Sequence, residues 1–178
     1  MPTATCWFEM QTLRCLPLDG AAFAPFGTVL DTTGARADLI NDGTTRRFSE
    51  LATLDLGEQR LDPFVSIYEA SARQLPLRLH KLERHTQASQ AFIPLGPHRF
   101  IVVVAPGDRE PVWAETAAFI SFPGQGVCLR RGCWHHGLVA LEDGNRFLVI
   151  DGGNYRTDTV EVAAPAALQL LAPASGLA

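Results

Sequence analysis

The stretch QAFIPLGPHRFIVVVAPGD, residues 90–108, holds two apolar runs, Gln90–Leu95 and Phe100–Ala105. Gly96-Pro97 divides them and Pro106-Gly107-Asp108 closes the second. Apolar runs of this length, bounded by turn residues, read as strands. The same texture extends outward on both sides. Phe64–Tyr68 precedes the pair; Ala117–Phe122, Gly126–Leu129, Trp134–Leu141 and Arg146–Asp151 follow it, separated by Pro123-Gly124 and Glu142-Asp143-Gly144. Between Leu75 and His85 the chain alternates: Leu75, Leu77 and Leu79 share one parity, continued by Lys81, Glu83 and His85. No long helical period interrupts these runs. The pattern predicts an all-β, antiparallel barrel or sandwich with short peripheral helices.

The flanks are less regular. Leu13–Leu18 reads as a short strand, and Asp19 as the N-cap of a helix over Ala21–Pro25 ended by Gly27. Residues 31–60 are polar and loop-rich, with Gly34, Gly43 and Gly57. Beyond Val162 the tail is rich in Ala and Pro, with at best a short terminal helix over Ala164–Leu171. The expected organisation is one domain over 1–178: a barrel core at about 63–151, an N-terminal strand and loop region at 1–62, and a tail at 152–178.

At 178 residues, 47% of them hydrophobic, the chain can build a sizeable core, which argues against disorder. Fifteen Lys and Arg against 19 Asp and Glu give a net charge of −4, opposite to what a nucleic-acid binder carries. Apolar runs such as Ile101–Ala105 are too short to span a bilayer, and no basic stretch leading into an apolar segment opens the chain, so a cytoplasmic protein is expected. Cys6, Cys15, Cys128 and Cys133 show no Cys-x-x-Cys spacing, which argues against zinc or disulfides, and Cys128 and Cys133, inside apolar strand-like stretches, read as small hydrophobes.

Polar side chains pointing into a barrel are where chemistry is expected, because burying them is costly unless they bind something. Glu83 and His85, two apart on one strand, share a face. Gln90 opens the next strand, and His135 opens another, three residues after Gly132. Glu83-Arg84-His85, four residues, Gln90 and then Gly96 fall in the frame of the first cupin motif, and Gly132 and His135 in that of the second. The chain thus resembles the cupins, whose metal-binding members converge four side chains on one ion. Glu83 stands where a histidine is usual and Gln90 where a carboxylate is usual. Glu83, His85, Gln90 and His135 could hold one divalent transition metal ion, or form a metal-free acid/base pocket.

Longer stretches resemble a narrower family. Leu82–Leu95, Gly132–Leu138, Ile40-Asn41-Asp42-Gly43 with Arg47, Leu75-Pro76-Leu77, Gly124-Gln125-Gly126-Val127 and Phe147–Asp151 are similar, in order, to the ureidoglycolate lyases of allantoin breakdown. The resemblance implies a cupin barrel, a homodimer, a small carboxylate substrate, and cleavage of (S)-ureidoglycolate to glyoxylate and urea. On that basis His85 and His135 would be the acid/base pair, since imidazole titrates near neutral pH, with Glu83 orienting or coordinating. Gln90 would hydrogen-bond the ureido group or hydroxyl, and Arg47 would clamp the carboxylate. Three positions depart from the family pattern: Thr86 and Gly137 where Pro is common, and Glu69 where Arg is common. They keep open a metal-dependent cupin acting on another hydroxy or keto acid, or a cupin that only binds a small carboxylate.

Other polar residues read as structural. By alternation Arg84 and His136 face away from Glu83 and His135, with Arg84 expected in a salt bridge to a neighbouring strand or a second subunit. His80 points outward, His98 lies in a solvated turn, and Trp134 and Phe92 belong to the core.

Overall fold

The apolar runs between Gly and Pro turns become strands, as residues 11–58, 61–153, 158–165 and 168–174 show in the computed structural model. The N-terminal part holds β1 (Gln11–Leu13), β2 (Cys15–Pro17), α1 (Gly20–Phe23), β3 (Gly27–Leu30) and the hairpin β4 (Asp38–Ile40) and β5 (Thr45–Arg47). Then come β6 (Pro63–Ala70), β7 (Leu77–Arg78), β8 (Lys81–His85), β9 (Gln90–Pro94), β10 (Phe100–Ala105), β11 (Ala117–Ile120) and β12 (Gly126–Leu129). The chain continues through β13 (Trp134–His135), β14 (Val139–Ala140), β15 (Asn145–Gly152), β16 (Thr159–Ala163) and β17 (Leu168–Leu170).

Two sheets carry the architecture. One runs β16-β8-β13-β10-β11-β2, with β14 also on β10; the other runs β3-β12-β9-β15-β6. Between them lie Phe100, Val102 and Val104 of β10, Phe119, Val127, Leu129, Phe92, Phe147 and Val149, with Phe23 of α1 packed against Phe119. The odd-numbered side chains of β10, Ile101 and Val103, point the other way into a second core with Leu13, Leu79, Leu168 and Leu170, under the small sheet β1-β17-β7. Because β10 is covered on both faces, its sequence is a continuous apolar run rather than an alternating one.

The all-β expectation is met, and among the described residues the facing sheets do not close on one another through backbone pairing. Asp19 caps α1 as expected, accepting from the Ala21 and Ala22 amides. Three details differ. Leu168–Leu170, within the stretch expected to be at best a short terminal helix, is strand β17, which pairs parallel with β1, while β16 ahead of it pairs antiparallel with β8. Leu168 and Leu170 share one strand face and bury it in the second core. Leu13–Leu18 divides at Arg14 into β1 and β2, so that each half joins a different sheet. Trp134–Leu141 likewise divides into β13 and β14, both on β10, with the His136 amide still donating to the Val103 carbonyl between them. Cys6 lies outside the described residues; Cys15, Cys128 and Cys133 are buried free thiols.

Candidate active site

Strand alternation turns Glu83 and His85 to the same side of β8, while Leu82 and Arg84 face Trp134 on the other. Antiparallel pairing of β13 with β8 sets His135 directly opposite Glu83. The entry to β13 is a tight turn at Gly132, whose φ of 76° suits glycine, and the Gly132 amide donates to the His85 carbonyl at 2.7 Å. The turn that delivers His135 is therefore tied to the end of the strand that carries His85.

His135 is 2% exposed. Its Nδ1 lies 3.0 Å from the Cys133 carbonyl, which can only accept, so Nδ1 carries a hydrogen and donates. Nε2 is left facing Glu83 Oε1 at 3.5 Å. The His85 ring lies 5.4 Å from that of His135, with its Nδ1 3.5 Å from Thr159 Oγ1. One ligand atom each from Glu83, His85 and His135 falls within 4.8 Å of the others, a group able to hold a metal ion. Gln90, at the start of β9, is buried and donates from Nε2 to Asp151 Oδ1 at 2.5 Å.

These side chains open on a cavity of about 180 Å³, lined by Tyr68, Glu83, His85, Gln90, Gly137 and Thr159, with Phe92 and Leu138 as its apolar wall. Drug-sized pockets measure about 300–1,000 Å³, so this one suits a small metabolite. Its described lining holds no Arg or Lys. The hydrogen bond from His135 holds the Glu83 carboxyl below the usual glutamate range, reinforced by the charges of His135, His85 and Lys81. Burial, with the neighbouring His135, pushes His85 below an ordinary histidine. Among the described residues, His85 Nε2 and Gln90 Oε1 are buried with no hydrogen-bond partner, and His135 Nε2 has only the 3.5 Å approach of Glu83. The His135 Nδ1 and the Gln90 amino group are already committed, so Gln90 Oε1 and the Glu83 carboxylate are left as acceptors. A proton donor or a cation satisfies such a set.

Glu83, His85, Gln90 and His135 are thus brought together; Arg47 is not. It sits on the exposed β4–β5 hairpin, its guanidinium 3.1 Å from the carboxylate of Asp38, its partner in the strand register, and lines a separate open hollow. Within one chain it does not reach the cavity. Of the three departures, Glu69 points away from Tyr68 and pairs with Arg146 across β15 at 3.2 Å, outside the cavity. The Thr86 hydroxyl and amide both donate to buried Asp158. Gly137 alone belongs to the lining. Arg84 finds its partners inside the chain, stacking over Trp134 and donating to the Asp108 carbonyl. His98 is paired with Glu142, and His80 is exposed. The residues that strand alternation alone passed over are Tyr68, Asp151 and Thr159. A polar residue on the inward parity of β6 or β15 was a usable signal for the first two. Nothing local marks Thr159, which the tail delivers beside His85.

The family model for ureidoglycolate lyase matches residues 10–171. A curated ureidoglycolate lyase of Pseudomonas aeruginosa is 44% identical over 142 residues, 80% of this chain and 84% of that protein. That of Stutzerimonas stutzeri is 46% identical over the same shares. The ureidoglycolate lyase of Burkholderia mallei is 43% identical over 162 residues, covering 90% of this chain and 94% of its own. The family model spans the strands that carry Glu83, His85, Gln90 and His135, and relatives at this identity cover 80–90% of the chain, so the chain belongs to the ureidoglycolate lyase family.

Proposed function

We propose that the protein is a carbon–nitrogen lyase that cleaves (S)-ureidoglycolate to glyoxylate and urea in allantoin catabolism. The observation that supports it most directly is the convergence of Glu83, His85, Gln90 and His135 on one small cavity, in a chain of this family. The substrate carbon carries a hydroxyl, a carboxylate and the urea nitrogen. Its cleavage removes the hydroxyl proton, breaks the C–N bond as the aldehyde forms, and returns a proton to the departing nitrogen. His85, whose lowered pKa keeps Nε2 unprotonated at neutral pH, takes the hydroxyl proton. His135, whose Nε2 faces Glu83 at 3.5 Å, is the proton donor to the departing nitrogen. Gln90 holds the ureido group.

A second form of the same site is favoured by its acceptor-only character. Glu83, His85 and His135, with Gln90 Oε1, fit a divalent transition metal ion, whose chemistry there would be to polarise the hydroxyl or the nascent aldehyde oxygen. A product assay on ureidoglycolate distinguishes these: with protein as purified, after chelation, and after divalent metal is restored. Glyoxylate and urea without ammonia establish the lyase. Loss on chelation with recovery on metal assigns the metal form; indifference assigns the acid/base form. No glyoxylate under any condition overturns the lyase.

We further propose a cupin-type single domain acting as a cytoplasmic homodimer. The two facing sheets support the first, and the unpaired thiols of Cys15, Cys128 and Cys133 are in keeping with a reducing compartment. The open edge of β6, with Phe64, Val65 and Ile67 exposed, supports the dimer.

A further inference from the structure

An amide can present either its oxygen or its amino group, yet Gln90 has one end already taken. Its Nε2 donates to Asp151 Oδ1 at 2.5 Å, while Oε1 is buried with no partner among the described residues, on a side chain that lines the cavity. A carboxylate only accepts, so Asp151 admits the amino end alone. The pairing is built by the sheet. Antiparallel β9 and β15 place Phe92 opposite Val149 and Ala91 opposite Ile150, which brings Gln90 and Asp151 together one step further on. The alternation that buries Phe147 and Val149 turns Asp151 to the same interior.

We propose that Asp151 is a positioning residue that makes Gln90 an obligate hydrogen-bond acceptor, and so selects a substrate presenting N–H at that wall over one presenting a carboxylate oxygen. The proposal rests on the ureidoglycolate reading, in which the ureido amino group is that donor. It also accounts for an amide at position 90, since a second carboxylate so close to Asp151 would be repelled.

Asp151→Asn tests it, because asparagine can meet either end of the Gln90 amide and the preference disappears. The KM for ureidoglycolate should rise about threefold to tenfold, the worth of one hydrogen bond, with kcat within about twofold. Inhibition by malonate, whose second carboxylate replaces the ureido group, should tighten in the same variant. A merely structural Asp151 would leave both the KM and the malonate constant where they were, and that result overturns the proposal. A second measurement needs no substrate. Gln90→Glu alone should lower the thermal midpoint, and adding Asp151→Asn should restore it, because the introduced amide can donate to the introduced carboxylate. Additive midpoints overturn the pairing. Absence of glyoxylate from the unmodified protein would instead refute the lyase, and the midpoint cycle would still decide the pair.

Discussion

His135 has one ring nitrogen held by the Cys133 carbonyl and the other turned to Glu83, so its chemistry is confined to Nε2. Replacing it with Gln keeps the bulk in a buried position and removes the imidazole. Turnover of ureidoglycolate should fall about 10²–10⁴-fold while far-ultraviolet circular dichroism is unchanged; an active variant would remove His135 from the mechanism. His85 sets the acid limit. Its pKa is displaced downward, so the unprotonated form survives to lower pH than an ordinary histidine allows. The acid limb of the kcat/KM profile of the metal-free form should therefore lie below about 6.5, the ordinary histidine value. Glu69 makes the opposite case: its carboxylate is spent on Arg146 outside the cavity. Glu69→Ala should leave kcat/KM within about twofold, measured in the same assay, and a loss beyond tenfold would place it in catalysis after all.

Turn chemistry explains why the central strands could be read from the chain and others could not. Gly96-Pro97 and Pro106-Gly107 bracket β9 and β10 closely, and β10 matches the apolar run Phe100–Ala105 end to end. The parity that put Glu83 and His85 on one face is a local property, and the structure keeps it. Whether Arg47 meets them depends instead on where a polar hairpin docks, which no local period encodes. The same holds for the tail, where β16 closes over β8 and supplies Thr159 to His85. Asp158, immediately before that strand, is buried and accepts from the Thr86 amide, the Thr86 hydroxyl and the Gln87 amide. It fastens the turn that follows His85. Asp158→Ala strands those donors, and should cost about 2–3 kcal/mol in urea denaturation, the usual worth of hydrogen bonds to a charged group. A change under about half a kcal/mol would mean that β16 is held by backbone pairing with β8 alone.

At the level of the assembled molecule, β6 is the feature that one chain leaves unfinished. It pairs with β15 along its whole length, and its other edge has no strand partner among the described residues. Exposed edges of this length are templates for further pairing, and soluble proteins usually blunt them with charge or proline. Here Pro63 stands at one end and Glu69 near the other, while Val65 is 69% exposed and Ile67 48%. Val65 and Ile67 point outward, and β15 carries Leu148 and Ile150 beside them on the same face, so an apolar strip runs along the sheet. A second copy offering the same strip would cover both, by the two-fold self-complementarity common to homodimers. Val65→Lys with Ile67→Lys adds two cations to each side of that contact and leaves the core between the sheets untouched. Sedimentation equilibrium should then report a two-chain mass for the native protein and a one-chain mass for the variant, with the thermal midpoint lowered in a concentration-dependent way only for the former. If the variant retains the two-chain mass, the dimer is built on another surface and β6 is a true edge.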